Sequence, residues 1–97
     1  MIVTIEDKAL CCPSCGERYL HHDKVEVFER DREDADTGIS VSVSKKKAKI
    51  GRSQGGNPSS RRDGIGIRFW CETCKAIPTL AIYQHKGNTV IEWLQRH

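Results

Sequence analysis

Five cysteines and four histidines are the residues of this chain best suited to chemistry, and they are unevenly spread. The stretch ALCCPSCGERYLHHD, residues 9–23, holds three thiols and two imidazoles. Cys12 and Cys15 form one C-x-x-C pair, and Cys71 and Cys74 form a second. Two intervening residues make a tight turn from which both thiolates converge on one point. Four thiolates so gathered supply the tetrahedral shell that structural zinc prefers, with Zn–S of about 2.3 Å. A closed shell leaves no position for water, so the predicted cofactor is one structural zinc ion rather than a catalytic one. The alternative is four free or disulfide-bonded cysteines. A redox C-x-x-C would need a βαβ context, and the sequence shows none. Cys11 stands apart, because neighbours in an extended chain point to opposite sides and Pro13 biases Cys12 towards extended backbone. Cys12 is therefore the predicted ligand, and Cys11 a small buried hydrophobe.

The elements that must carry these ligands read as strands. GISVSVS (38–44) alternates Ile39, Val41 and Val43 with serines, and GIGIRFW (64–70) puts Ile65, Ile67 and Phe69 on one face. Residues 79–95 hold two β-rich runs joined at Gly87-Asn88, a dipeptide suited to a hairpin turn. IVTI (2–5) and KVEVF (24–28) are shorter candidates, and the acidic run 29–37 fits either a turn of helix or a hairpin tip between strands 24–28 and 39–44. No apolar pattern holds a helical period over three turns. The fold class is all-β, as a single domain over residues 1–97. With 37% hydrophobic residues and 97 residues in all, such a chain is short of core and needs a staple.

The Cys12–Gly16 run, C-P-x-C-G, resembles the knuckle of the zinc-ribbon family, and Cys71–Cys74 matches the C-x-x-C part of a second knuckle, with Lys75 where glycine is usual. The resemblance implies a small antiparallel β domain built around one structural zinc. It covers the knuckles and flanking strands but not residues 29–63, and the 55 residues between Cys15 and Cys71 exceed the usual 15–20. Residues 29–63 are accordingly read as an insertion holding a hairpin and, over 45–63, a mobile basic loop rich in Gly, Ser and Asn.

Charge is strongly partitioned. Residues 1–38 carry five basic against ten acidic side chains, and residues 39–70 carry eight against one. Lys45, Lys46, Lys47, Lys49, Arg52, Arg61, Arg62 and the nearby Arg68 could lie along a phosphate backbone with little base specificity. The competing reading is a loop neutralised by acidic residues 29–36 of the same chain. DNA or RNA is the leading partner, and a protein partner docking on a strand edge or on residues 26–36 is the second. His21-His22-Asp23, Gly55-Gly56-Asn57 and the two C-x-x-C pairs also resemble the HNH nucleases, which would imply a divalent metal and an activated water. Against that stand Lys75 in place of a histidine and the lack of a helix over 75–85, so the reading leans away from an enzyme. The ordinary reading makes His21, His22 and His85 strand-end residues. Tyr83 and Trp93 are expected to pair across the last hairpin, and Trp70 to shield the metal. No run of about 18 apolar residues suggests a membrane span, and the N-terminus lacks the pattern of a secretory signal. Both point to the cytoplasm, where paired cysteines are more often metal ligands.

Overall fold

The computed structural model describes residues 1–94, and all its regular structure is strand. A short hairpin of β1 (Ile5–Glu6) and β2 (Ala9–Leu10) precedes one large sheet. That sheet contains β3 (Leu20–Arg30), β4 (Thr37–Ser44), β5 (Lys47–Ser53), β6 (Gly64–Cys71), β7 (Thr79–His85) and β8 (Asn88–Trp93). The order across it is β5-β4-β3-β6-β7-β8, antiparallel throughout. None of its elements is a helix long and apolar enough to cross a membrane.

Three turns connect hairpins through two residues each: Asp7-Lys8, Lys45-Lys46 and Lys86-Gly87. Both residues of every turn have positive φ, between 49° and 81°, the type I′ geometry that matches strand twist. The last turn therefore lies one residue earlier than the expected Gly87-Asn88. Asn88 already pairs with His85. The expected end of this run at Gln95 lies outside the described residues.

A second correction concerns residues 45–63. Lys47–Ser53, expected within a loop, is strand β5, because Ala48 and Ile50 fall into register with Val43 and Val41. Residues 54–63 then cross the end of the sheet to reach β6. Gln54 and Ser59 are buried there, and the Gly56 backbone lies against the Phe28 ring. A Cβ on Gly64 would stand 2.5 Å from Asn57 Oδ1, so only glycine lets the crossing segment lie this close to β6.

The two faces of the sheet differ in kind. On one, two rows of apolar side chains run across all six strands. Register places Ala48, Val43, Val25, Ile67, Leu80 and Trp93 in the first row, and Ile50, Val41, Val27, Ile65, Ile82 and Ile91 in the second. The core sits at one end of the first row, where Leu80 and Trp93 are buried and Phe69 meets Trp93 edge-on at 5.8 Å. On the other face lie Lys24, Glu26, Phe28, Arg68 and Trp70, with the crossing segment over Phe28. Tyr83 pairs with Val90 and donates its hydroxyl to Glu92, so it lies on the face opposite Trp93. Trp70 is likewise not core. It is exposed and stacks on His21 with centroids 4.5 Å apart.

Candidate metal centre

Each C-x-x-C pair is held by the same backbone pattern. In the first, Cys12 N–H donates to Glu17 O at 2.8 Å and Gly16 N–H donates back to Cys12 O at 2.9 Å. In the second, Cys71 N–H donates to Ala76 O at 3.0 Å and Lys75 N–H to Cys71 O at 3.1 Å. Gly16 and Lys75, each directly after a second cysteine, take left-handed φ of 80° and 64°. The two knuckles are thus backbone copies. The glycine of one is replaced by a lysine in the same conformation, which costs about 1–2 kcal/mol.

Cys12, Cys15, Cys71 and Cys74 come together with every sulfur within 4.8 Å of the others. The Cys12–Cys74 and Cys15–Cys71 separations are 3.7 and 3.6 Å. Four sulfurs about 2.3 Å from a common centre lie about 3.8 Å apart in a regular tetrahedron, so the spacing fits a metal ion. It does not fit a disulfide, whose sulfurs stand about 2.05 Å apart. All five cysteines are free thiols. Each knuckle contributes one buried cysteine, Cys12 or Cys71, and one exposed, Cys15 or Cys74. The Cys74 N–H lowers the Cys71 thiol against the effect of burial. The Thr73 N–H and the Cys15 and Cys74 sulfurs add to the lowering, and it stands at about 6. Cys15 is pushed up to about 12. The Glu17 N–H lowers it, but burial and hydrogen bonding with Cys71, Cys74 and Cys12 outweigh that. Thiolates this close repel one another, and a divalent cation at their centre would remove that conflict.

Cys11 is buried but outside the cluster, with its sulfur 3.6 Å from Glu6 Oε1. Burial raises its thiol pKa, and the Glu6 charge adds to the effect. His21 does not reach the metal centre. Its Nε2 lies 3.2 Å from Glu72, whose N–H donates to Tyr19 O and ties the two knuckle regions together. Asn57, the third element of the nuclease resemblance, donates its amide to Gln54 and to Arg62 O. Residues 75–85 run as a Pro78-containing connection into β7, where the nuclease core would need a helix. Among the described residues, the four cysteines are the one group of three or more His, Cys, Asp or Glu ligands gathered this way.

The expected basic segment divides into two sets. Arg52 pairs with Asp31 at 2.6 Å, Arg61 with Asp34 and Glu33 at 2.8 and 2.9 Å, and Arg62 with Glu33 at 3.4 Å. Arg68 pairs with Asp23 at 2.9 Å. The acidic hairpin tip therefore neutralises Arg52, Arg61 and Arg62, the arginine part of what the competing reading expected. The Arg61 hydrogen bond holds the Asp34 carboxyl below its usual range, and Thr37 and then Arg52 do the same for Asp31. Lys45, Lys46, Lys47 and Lys49 make no ion pair among the described residues.

Arg30 is the organising side chain beside the basic segment that sequence reasoning missed. Its guanidinium donates to the carbonyls of Ala35, Ser59 and Arg62 at 2.5, 2.8 and 2.9 Å, while its N–H donates to Asp63 Oδ1. One strand residue thereby ties the acidic tip and the crossing segment to the sheet. Nothing in the sequence marks Arg30 among its charged neighbours, because the signal lies in carbonyls up to 32 positions away. In comparisons with protein-family models, with curated proteins and with solved structures, nothing matches this chain.

Proposed function

We propose that this protein is a small zinc-stabilised, zinc-ribbon-like binding module, not an enzyme, that contacts nucleic acid through the lysine-tipped β4–β5 hairpin. One observation carries the reading. Lys45 and Lys46 occupy both positive-φ positions of a type I′ turn, at 50° and 63°, where Asn-Gly would be far less strained. Asp7-Lys8 shares this backbone, so what sets the β4–β5 tip apart is that both of its strained positions are lysine. Lys47 and Lys49 follow on β5, in register with Ser44 and Ser42, and extend the same cationic edge along a polar face. Among the described residues, all four ammonium groups are free of ion pairs with acids, unlike the arginines. Such an array suits a phosphate backbone, releasing counterions without reading bases.

The test is binding to single- and double-stranded DNA and RNA across a salt series. Changing Lys45, Lys46, Lys47 and Lys49 to Gln is expected to weaken binding by at least about tenfold, with the salt slope falling by about 3–4. Changing Arg52, Arg61 and Arg62 to Gln is expected to leave binding near the parent value. Equal losses from the two sets, or none from the lysines, would remove the hairpin from consideration.

A further inference from the structure

We infer that the apolar face of the large sheet is a self-association surface, covered in solution by a second copy of this chain. The row from Ile50 to Ile91 places one β-branched side chain on each of six strands, with no charge among them. Ile50 is 80% exposed, Ile91 54% and Val27 39%, and beside the row Val43 and Ile39 are 47% and 50% exposed. Domains are built from two packed layers, and this sheet has a second layer only around Trp93 and at the crossing segment. Scattered exposed apolar residues are ordinary on a surface. A continuous stripe across a whole sheet marks an interface.

Three features favour a second copy as the occupant. The first is area. Six strands of about seven residues present roughly 500–600 Å² in projection; with the Leu80–Trp93 end already covered, the open part is that of a small, reversible interface, below the ~800 Å² that each partner contributes to a standard one. The second is charge. Each chain carries +3, yet the two rows bear no ionisable group, and Glu29, opposite Ile39, stands at their margin, so two copies can meet here with like charges kept to the rim. The third is the edge. Pairing through β5 would bring the Lys47 and Lys49 side chains of two copies side by side, the arrangement by which edge strands resist each other. Face-to-face packing at about 10 Å, as in a β-sandwich, avoids that clash and uses the whole stripe.

The experiment is sedimentation of the zinc-loaded full chain from low to high micromolar concentration, joined to methyl NMR on a mixture of differently labelled copies. A reversible dimer is expected, with intermolecular contacts among the methyls of Val27, Val41, Ile50 and Ile65. Ile50→Glu combined with Ile91→Glu places an unpaired charge in each half of the stripe and is expected to weaken association at least about a hundredfold. If that variant does not fold, the mixed-label spectrum of the parent chain decides. A parent chain that stays monomeric throughout, or a dimer without methyl contacts from this face, overturns the inference. So does a folded double variant that still dimerises at parental strength. A monomer whose stripe is occupied by another segment of a longer chain also counts against it.

Discussion

The two wings of the large sheet use the same residue types and reach opposite outcomes. In the β6–β7–β8 wing, Cys71, Leu80, Ala81 and Trp93 are buried, and the second knuckle grows directly out of β6. In the β5–β4 wing, the isoleucines and valines stay largely in the open, with Ile50 at 80% exposure. The difference lies in what stands next to each. Four cysteines draw the N-terminal segment and the β6–β7 connection together at one end of the sheet, and that gathering supplies a core which so few aromatics could not. The opposite wing is organised by polar bonds instead, through Arg30 and the arginine–carboxylate pairs. A cysteine cluster able to hold a metal and a hydrogen-bond network thus divide one small fold between them.

The largest expected effect breaks the first wing. Cys71→Ser, or removal of the metal by a chelator, should abolish stoichiometric zinc binding and unfold the knuckle end, since such a site contributes about 10–16 kcal/mol of folding free energy. Metal analysis together with tryptophan fluorescence reports both, because Trp93 lies in that core. A metal-free chain with native fluorescence would mean that the sulfur cluster is not the staple. A smaller effect tests the second wing. Arg30→Met removes three carbonyl contacts and should cost about 2–3 kcal/mol, since hydrogen bonds to charged groups contribute about 1.5–3 each and this side chain is partly solvated. Hydrogen exchange should show residues 54–63 opening while the knuckles stay protected. Uniform loss of protection would show that the wings are one cooperative unit. The smallest change sharpens the likeness between the knuckles. Lys75→Gly relieves the left-handed strain and should stabilise by about 1 kcal/mol, read as a rise in thermal midpoint at saturating zinc. Destabilisation would mean that the Lys75 side chain has a role that its conformation does not reveal.

Much of this was legible in the sequence. Two-residue spacing identified the four cysteines that cluster, and the Cys-Cys-Pro order separated Cys11 from them. Alternating Ile and Val marked the central strands. The failures have a common cause. β5 carries Lys, Gly and Arg, all seven of its residues are exposed, and only register with β4 makes it a strand. Gly, Ser and Asn at 54–63 look like solvated linker until Gln54, Asn57 and Ser59 are seen bonding to each other and to distant carbonyls. The two tryptophans exchanged roles because strand period fixes alternation but not which face is covered. Arg61 and Arg62 look like a phosphate site until Glu33 and Asp34 fold back on them.

The order β5-β4-β3-β6-β7-β8 is two local meanders of three strands joined along a single seam, β3 against β6. Within each meander, successive strands are neighbours in sequence and pair cheaply and fast. The seam alone joins strands distant in sequence: even its nearest pair, Phe28 and Gly64, encloses 35 residues, at an entropic cost of about 3 kcal/mol before any pairing repays it. The first knuckle leads into β3 and the second begins where β6 ends, with Leu20 opposite Cys71 at the end of the seam. An ion held by both knuckles would join the two sides of the seam at its Leu20–Cys71 end before the strands pair. Pairing would then start from the metal end, and the rate of assembly would depend on the ion supply as much as on the chain.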